Sequence, residues 1–155
     1  MTEIERILDQ LQRAYEGNAW HGPAVREVLA GVTAAQAAAR PLENAHTIWE
    51  LVHHIAVWES VVRRRLEGER SEINISSPED WPPPDDKSEA AWEQAKASLD
   101  RGHHALREAI ARVSESRLDE PILEGLSTVY VTLHGAIQHD LYHAGLIAIL
   151  KKATA

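Results

Sequence analysis

Apolar residues recur at helical intervals along four stretches of the chain, and the strict alternation of a half-buried strand appears nowhere. Ile4, Leu8, Leu11 and Tyr15 share one helix face, and Thr2 followed by Glu5 has capping-box spacing, so a first helix is expected from Thr2 to Ala19. Trp20 to Pro23 breaks it. Pro23 can open a short helix ending near Gly31, and Thr33 can cap a short turn through AAQAAAR that Pro41 terminates. A second long helix is expected from Ala45 to Glu67, with Ile48, Leu51, Ile55, Trp58 and Val62 on its core face. Four prolines between Gly68 and Lys87 exclude helix there and leave one long loop, which Trp81 is placed to pin down. Asp86 or Ser88 can cap a third helix, whose Trp92, Ala95, Leu99, Leu106, Ile110 and Val113 mark a core face. After a loop from Ser114 to Ser127, Thr128 can start the fourth helix. The pattern predicts an all-α four-helix bundle, with its longest connection between the second and third long helices and one domain over residues 1–155.

The fourth helix carries the candidate chemistry. On one side of it lie Thr128, Thr132, Ala136, His139, His143, Leu146 and Leu150, so two imidazoles four residues apart fall within an apolar stripe. A buried imidazole needs a hydrogen bond, a charge or a metal ion. Two readings follow: core histidines bonded to neighbouring groups, or a chelating pair. On the second helix, His54 lies on the flank of the core face, about 60° from Leu51, whereas His53 projects away. His54, His139 and His143 would together offer three nitrogens and leave coordination positions open. Zinc suits such a set, and nickel, iron or manganese could also take it.

Sixteen basic and twenty-four acidic residues give 16 − 24 = −8, which argues against a nucleic-acid or anionic-membrane surface and favours small-molecule or protein partners. The chain has no cysteine, so thiolate ligands and a protein-borne sulfur nucleophile are excluded. The N-terminal stretch is amphipathic and no apolar run approaches about 18 residues, so neither a signal peptide nor a membrane span is expected and the location expected is cytoplasmic.

HTIWELVHHIAVWE and HGAIQHDLYHAGLIAILKK, together with the GPAVREVLAGVTAAQAAARP connector, the DWPPPDD loop and AAWEQAKASL, resemble the DinB-like family of metal-binding helical bundles. The resemblance spans most of the chain. It implies a four-helix bundle, frequent homodimers, and a divalent metal held by His54, His139 and His143. For several relatives it implies metal-dependent thiol transfer, such as adding bacillithiol to electrophiles or isomerising maleylpyruvate with mycothiol. Relatives often carry glutamine where Leu146 stands here.

The enzymatic reading is a metal-dependent transferase or hydrolase, a thiol S-transferase among these. The ion would lower the pKa of water or of a low-molecular-weight thiol brought in from solution. Tyr142, Asp140 and His103 are the candidates for acid or base work. The alternative is a non-catalytic, metal-stabilised bundle that binds a metabolite or a partner protein. A homodimer is expected through additional apolar surface, either Leu133, Ile137, Leu141 and Ala148 on the fourth helix or Trp49, Ala56 and Ser60 on the second. The outward phase of His53 predicts that His53→Ala should be nearly silent, within about 0.5 kcal/mol.

Overall fold

The computed structural model describes residues 1–155 and contains six α-helices and no strand. They are α1 (Glu3–Tyr15), α2 (Val25–Leu29), α3 (Ala34–Ala38), α4 (Ile48–Leu66), α5 (Glu89–Ala111) and α6 (Val129–Ala153). Helices α1, α4, α5 and α6 form the all-α bundle expected from the periodicity, with α4 packed on both α5 and α6. Short helices α2 and α3 close one end against α6, α4 and α5.

Side-chain caps set most of the boundaries. Thr2 and Glu5 form the expected capping box on α1. That helix stops at Tyr15, four residues before Ala19, because Gly17 with φ 156° and Asn18 with a left-handed φ of 65° both leave the helical region right after the Glu16 cap. Thr47 and Glu50 form a second capping box, so α4 begins at Ile48 and not at Ala45. Pro23 stays outside α2, whose extended cap residue is Ala24. Ser88 accepts from the Ala91 amide at the start of α5, while Asp86 accepts from the Ser88 amide, so the two residues act in series. Thr128 caps α6, as its position suggested.

The apolar interior falls into two clusters. One gathers Trp49, Leu51, Ile55, Trp92, Leu99 and Ile147 near α2 and α3. The other gathers Ile7, Leu11, Val62, Leu106, Ile110 and Leu133 at the far end. Each long helix of the α4–α5–α6 seam passes from one cluster to the other, and five of the eight buried polar residues lie near the crossing: His54 and Glu59 on α4, His103 on α5, Asp140 and His143 on α6. A polar layer therefore cuts across the bundle between two greasy halves.

The surfaces expected to dimerise are occupied within the chain. Trp49 is only 1% exposed and packs against Trp92 of α5 with ring centroids 5.1 Å apart, so it cannot lie on an external stripe. Leu133 and Ile137 are buried among residues of α1, α4 and α5, and Leu141 packs against the same cluster. The apolar residues that α6 leaves open are Tyr130 and Val131 in its first turn and Tyr142, Leu146 and Ile149 further along.

The Thr47 cap fixes the start of the helix that carries His54, which makes it the end at which to test the fold. Thr47→Ala should lower unfolding free energy by about 1 kcal/mol, within the range of about 0.5–2 kcal/mol for lost N-caps, in urea denaturation. No change in the denaturation midpoint would show that the cap does not support α4.

Candidate metal centre

His54 on α4 and His139 with His143 on α6 meet in the polar layer. The Nε2 atom of His139 lies 3.0 Å from that of His54 and 3.1 Å from that of His143. His54 and His143 are buried, and His139 is partly buried. These are the three histidines expected from helix phase, and one ring nitrogen of each falls within 4.8 Å of the others.

The loop between α4 and α5 fixes the first of them. His54 Nδ1–H donates to the Asp80 carbonyl at 2.7 Å, with the Asp80 carboxylate oxygen Oδ1 3.1 Å away. That bond places the proton on Nδ1 and turns the Nε2 lone pair toward the other two imidazoles. The same carboxylate accepts from the indole N–H of Trp58 at 2.6 Å. Trp81 stacks flat on His54, with ring centroids 3.7 Å apart and planes 4° apart, and stacks on His46 as well. Trp81 thus pins the loop as expected, and does so by covering a candidate ligand. Asp80 is a contributor the sequence did not reveal. Its loop position carries no periodicity, and its signal is only a carboxylate beside a tryptophan.

His53 needs a correction. It stands outside the cluster, as its phase required, yet it is not idle. Its Nδ1–H donates to the Pro82 carbonyl at 2.7 Å, and its Nε2 accepts from the Trp49 indole at 3.1 Å. Adjacent histidines therefore hold adjacent parts of one loop, His54 at Asp80 and His53 at Pro82. His53→Ala would strand a buried indole N–H, so its cost should exceed that of a surface change.

Burial keeps the cluster neutral. Desolvation, reinforced by the neighbouring imidazoles, depresses His143 to about 3 and His139 to about 4. His54 is also lowered by burial, against a smaller opposing effect from Asp80. His139 Nε2 faces two other ring nitrogens at 3.0–3.1 Å and, carrying one proton or one lone pair, cannot make a full hydrogen bond to both, and His143 Nδ1 is buried with no partner. A divalent ion fits that donor set: bonds of about 2.0–2.1 Å at tetrahedral or right angles separate nitrogens by about 2.9–3.4 Å.

Asp140, His103 and Tyr142 fall in two different settings. Tyr142 is 68% exposed, with its ring edge-on to His143 at 5.2 Å. Asp140 and His103 are both 0% exposed, so neither belongs to a surface or bundle edge. They meet Glu59 of α4 in a second cluster, with one donor atom of each residue within 4.8 Å of the others. Glu59 escaped the sequence reading although it occupies the same apolar stripe as Ile55 and Val62, where a carboxylate is out of place. His103 is pushed down to about 3 by burial. Burial drives both carboxyls upward, and the neighbouring Glu59 raises Asp140 further.

Two cavities flank the histidines along α6. One, of about 200 Å³, is lined by Trp58, Glu59, Arg65, His139 and Asp140 among others. The second, of about 260 Å³, is mostly apolar and is bounded by Leu42, Trp81, Tyr142, His143, Leu146 and Ile149 among others. Leu146 is part of that apolar wall.

Residues 19–147 match the sequence model of the DinB superfamily. The chain belongs to that superfamily. A crystal structure of a conserved protein from Enterococcus faecalis superposes over 99% of this chain and 98% of its own with a TM-score of 0.77, at 17% identity, which shows that the fold is shared. No curated protein matches the sequence. In this DinB-superfamily chain no helix is long and apolar enough to cross a membrane.

Two measurements test the centre. Zinc or nickel titration should show His54→Ala weakened more than about a hundredfold, because losing even an outer partner of a ligand costs about 10–100-fold. His53→Ala should keep its ion affinity but lose about 1–3 kcal/mol of stability, the cost of an unsatisfied buried donor. Equal metal affinities for wild type and His54→Ala would remove this residue from the site. Histidines that are depressed in the folded state take up protons first when unfolded. Their stabilisation is therefore complete above about pH 6.5 and lost as pH falls toward 4 and then 3. Chelator-treated protein should accordingly lose denaturant resistance over that window, and a flat profile would contradict neutral burial.

Proposed function

We propose that the three histidines hold a divalent ion, zinc or nickel first and iron or manganese as alternatives, and that the protein is a metal-dependent transferase using a low-molecular-weight thiol. The observation that carries this reading is a neutral, convergent imidazole set with a separate cavity on each side of it. A two-substrate transfer needs two approaches to one centre, and a closed structural ion site needs none.

The bound ion would supply Lewis acidity, lowering the pKa of a thiol or a water that meets it. The chain's own residues do the rest. His54 is oriented by the Asp80 carbonyl, and Trp81 shields that bond from water. Arg65 lines the smaller cavity with its Nε buried and unpartnered, and burial lowers its pKa, so it suits an anionic group on one reactant. The apolar wall of the larger cavity suits the hydrophobic body of the other. Tyr142 stands at that wall, where its hydroxyl could donate a proton to the leaving group and be reprotonated from solvent. In the transfer a sulfur–carbon bond forms, the leaving group departs with its electron pair, and the thiol proton passes to solvent. Self-association, which family resemblance favours, would use the open Tyr142, Leu146 and Ile149 face.

The test is elemental analysis of purified protein followed by a screen of small thiols against electrophiles, with metal-loaded and chelator-treated samples side by side. Thiol consumption should require the ion and vanish in His54→Ala. Stoichiometric metal with no thiol or hydrolytic turnover in any pairing would favour the non-catalytic bundle. Light scattering at micromolar concentration should show a dimer that Ile149→Glu converts to monomer, and a monomeric wild type would reject the association.

A further inference from the structure

The second cluster is the least expected feature of the interior. Glu59, His103 and Asp140 come from three different helices, and their side chains are 2%, 0% and 0% exposed. Only one hydrogen bond joins them, between His103 Nδ1 and Glu59 Oε1 at 3.0 Å. Glu59 Oε2, both Asp140 oxygens and His103 Nε2 are buried with no donor or acceptor. Two desolvated carboxyls must either take up a proton or meet a cation, since a buried charge left unpaired is unfavourable. No lysine or arginine pairs with either. Arg107, one turn along α5 from His103, is committed to Glu16 and Gln12 at 3.1 Å each.

From this geometry we infer a second metal site, formed by Glu59, His103 and Asp140 and taking one first-row divalent ion. One imidazole with two carboxylates is a set that zinc, iron and manganese accept. The ion has a way in, because the cavity of about 200 Å³ reaches Glu59 and Asp140 from the side on which His139 lies. Supports for the ligands are already in place. Tyr15 stacks on His103 with ring centroids 3.8 Å apart and anchors its own hydroxyl on Asp100 at 2.6 Å, which holds the imidazole plane in register. The ion would neutralise the two carboxylates and displace any proton held between them. The two groups share this cavity but no ligand, so the inference is independent of what the three histidines bind.

Metal-stripped full-length protein titrated with zinc at neutral pH, with bound ions counted by native mass spectrometry, tests it. Wild type should take up two ions. Glu59→Gln and His103→Gln should each take up one, as should His54→Ala, which loses the other site. Glu59→Gln combined with His54→Ala should take up none. The two single changes in the cluster come from different helices, and circular dichroism of each shows whether it has folded. Because His54→Ala leaves the cluster untouched, one ion retained there supports the site even should a cluster variant unfold. Wild-type stoichiometry in folded Glu59→Gln or His103→Gln, or no ion in His54→Ala, overturns the site and leaves the carboxyls sharing a proton.

Discussion

A layer of neutral imidazoles and carboxyls, enclosed between two apolar clusters, is the constraint on which the rest of this bundle depends. Leucine, isoleucine and tryptophan above and below the layer hold α4, α5 and α6 at fixed separations, so its polar groups cannot swing out to water. They must satisfy one another, or a ligand must satisfy them. Both clusters answer that demand incompletely: His143 Nδ1 has no partner, and the Glu59 group has orphaned oxygens. Burying such groups weakens a simple helical bundle, and an all-apolar layer of the same volume would be easier to stabilise.

The long proline-rich connection belongs to this layer as much as the helices do. A loop with four prolines cannot supply a regular ladder of backbone hydrogen bonds, so its carbonyls are free to meet side chains. Two of them do, at Asp80 and Pro82, and the receiving residues are the consecutive His54 and His53. Stacking of Trp81 on His54 and His46 closes the arrangement. The loop thereby couples the α4–α5 connection to the orientation of a candidate ligand. Changes there would reach the centre without touching it.

Helix α6 shows how one apolar sequence is divided among several duties. Leu133 and Ile137 fill the far core, Ile147 and Leu150 fill the near one, and His139, Asp140 and His143 populate the layer between them. Of its exposed apolar residues, Tyr142, Leu146 and Ile149 line an open apolar cavity. An all-round apolar helix therefore reflects cores at two levels plus a recess, more than a single unpaired interface.

Much of this is local and was legible in the chain itself. Helix type, the Thr2 and Thr128 caps and the phase separating His54 from His53 follow from short-range spacing, because a helix repeats every 3.6 residues whatever surrounds it. The HxxxH pair on α6 and the inward side of α4 likewise sufficed to choose the three histidines. Tertiary structure alone decided which faces meet. Trp49 went to the core because α5 lies against it, His53 acquired partners because a loop returned beside it, and Glu59 found Asp140 and His103 across two helix seams. Those partners are 29 to 81 residues apart, beyond any periodicity, and they are joined by packing that the whole chain must complete before any one of them is placed.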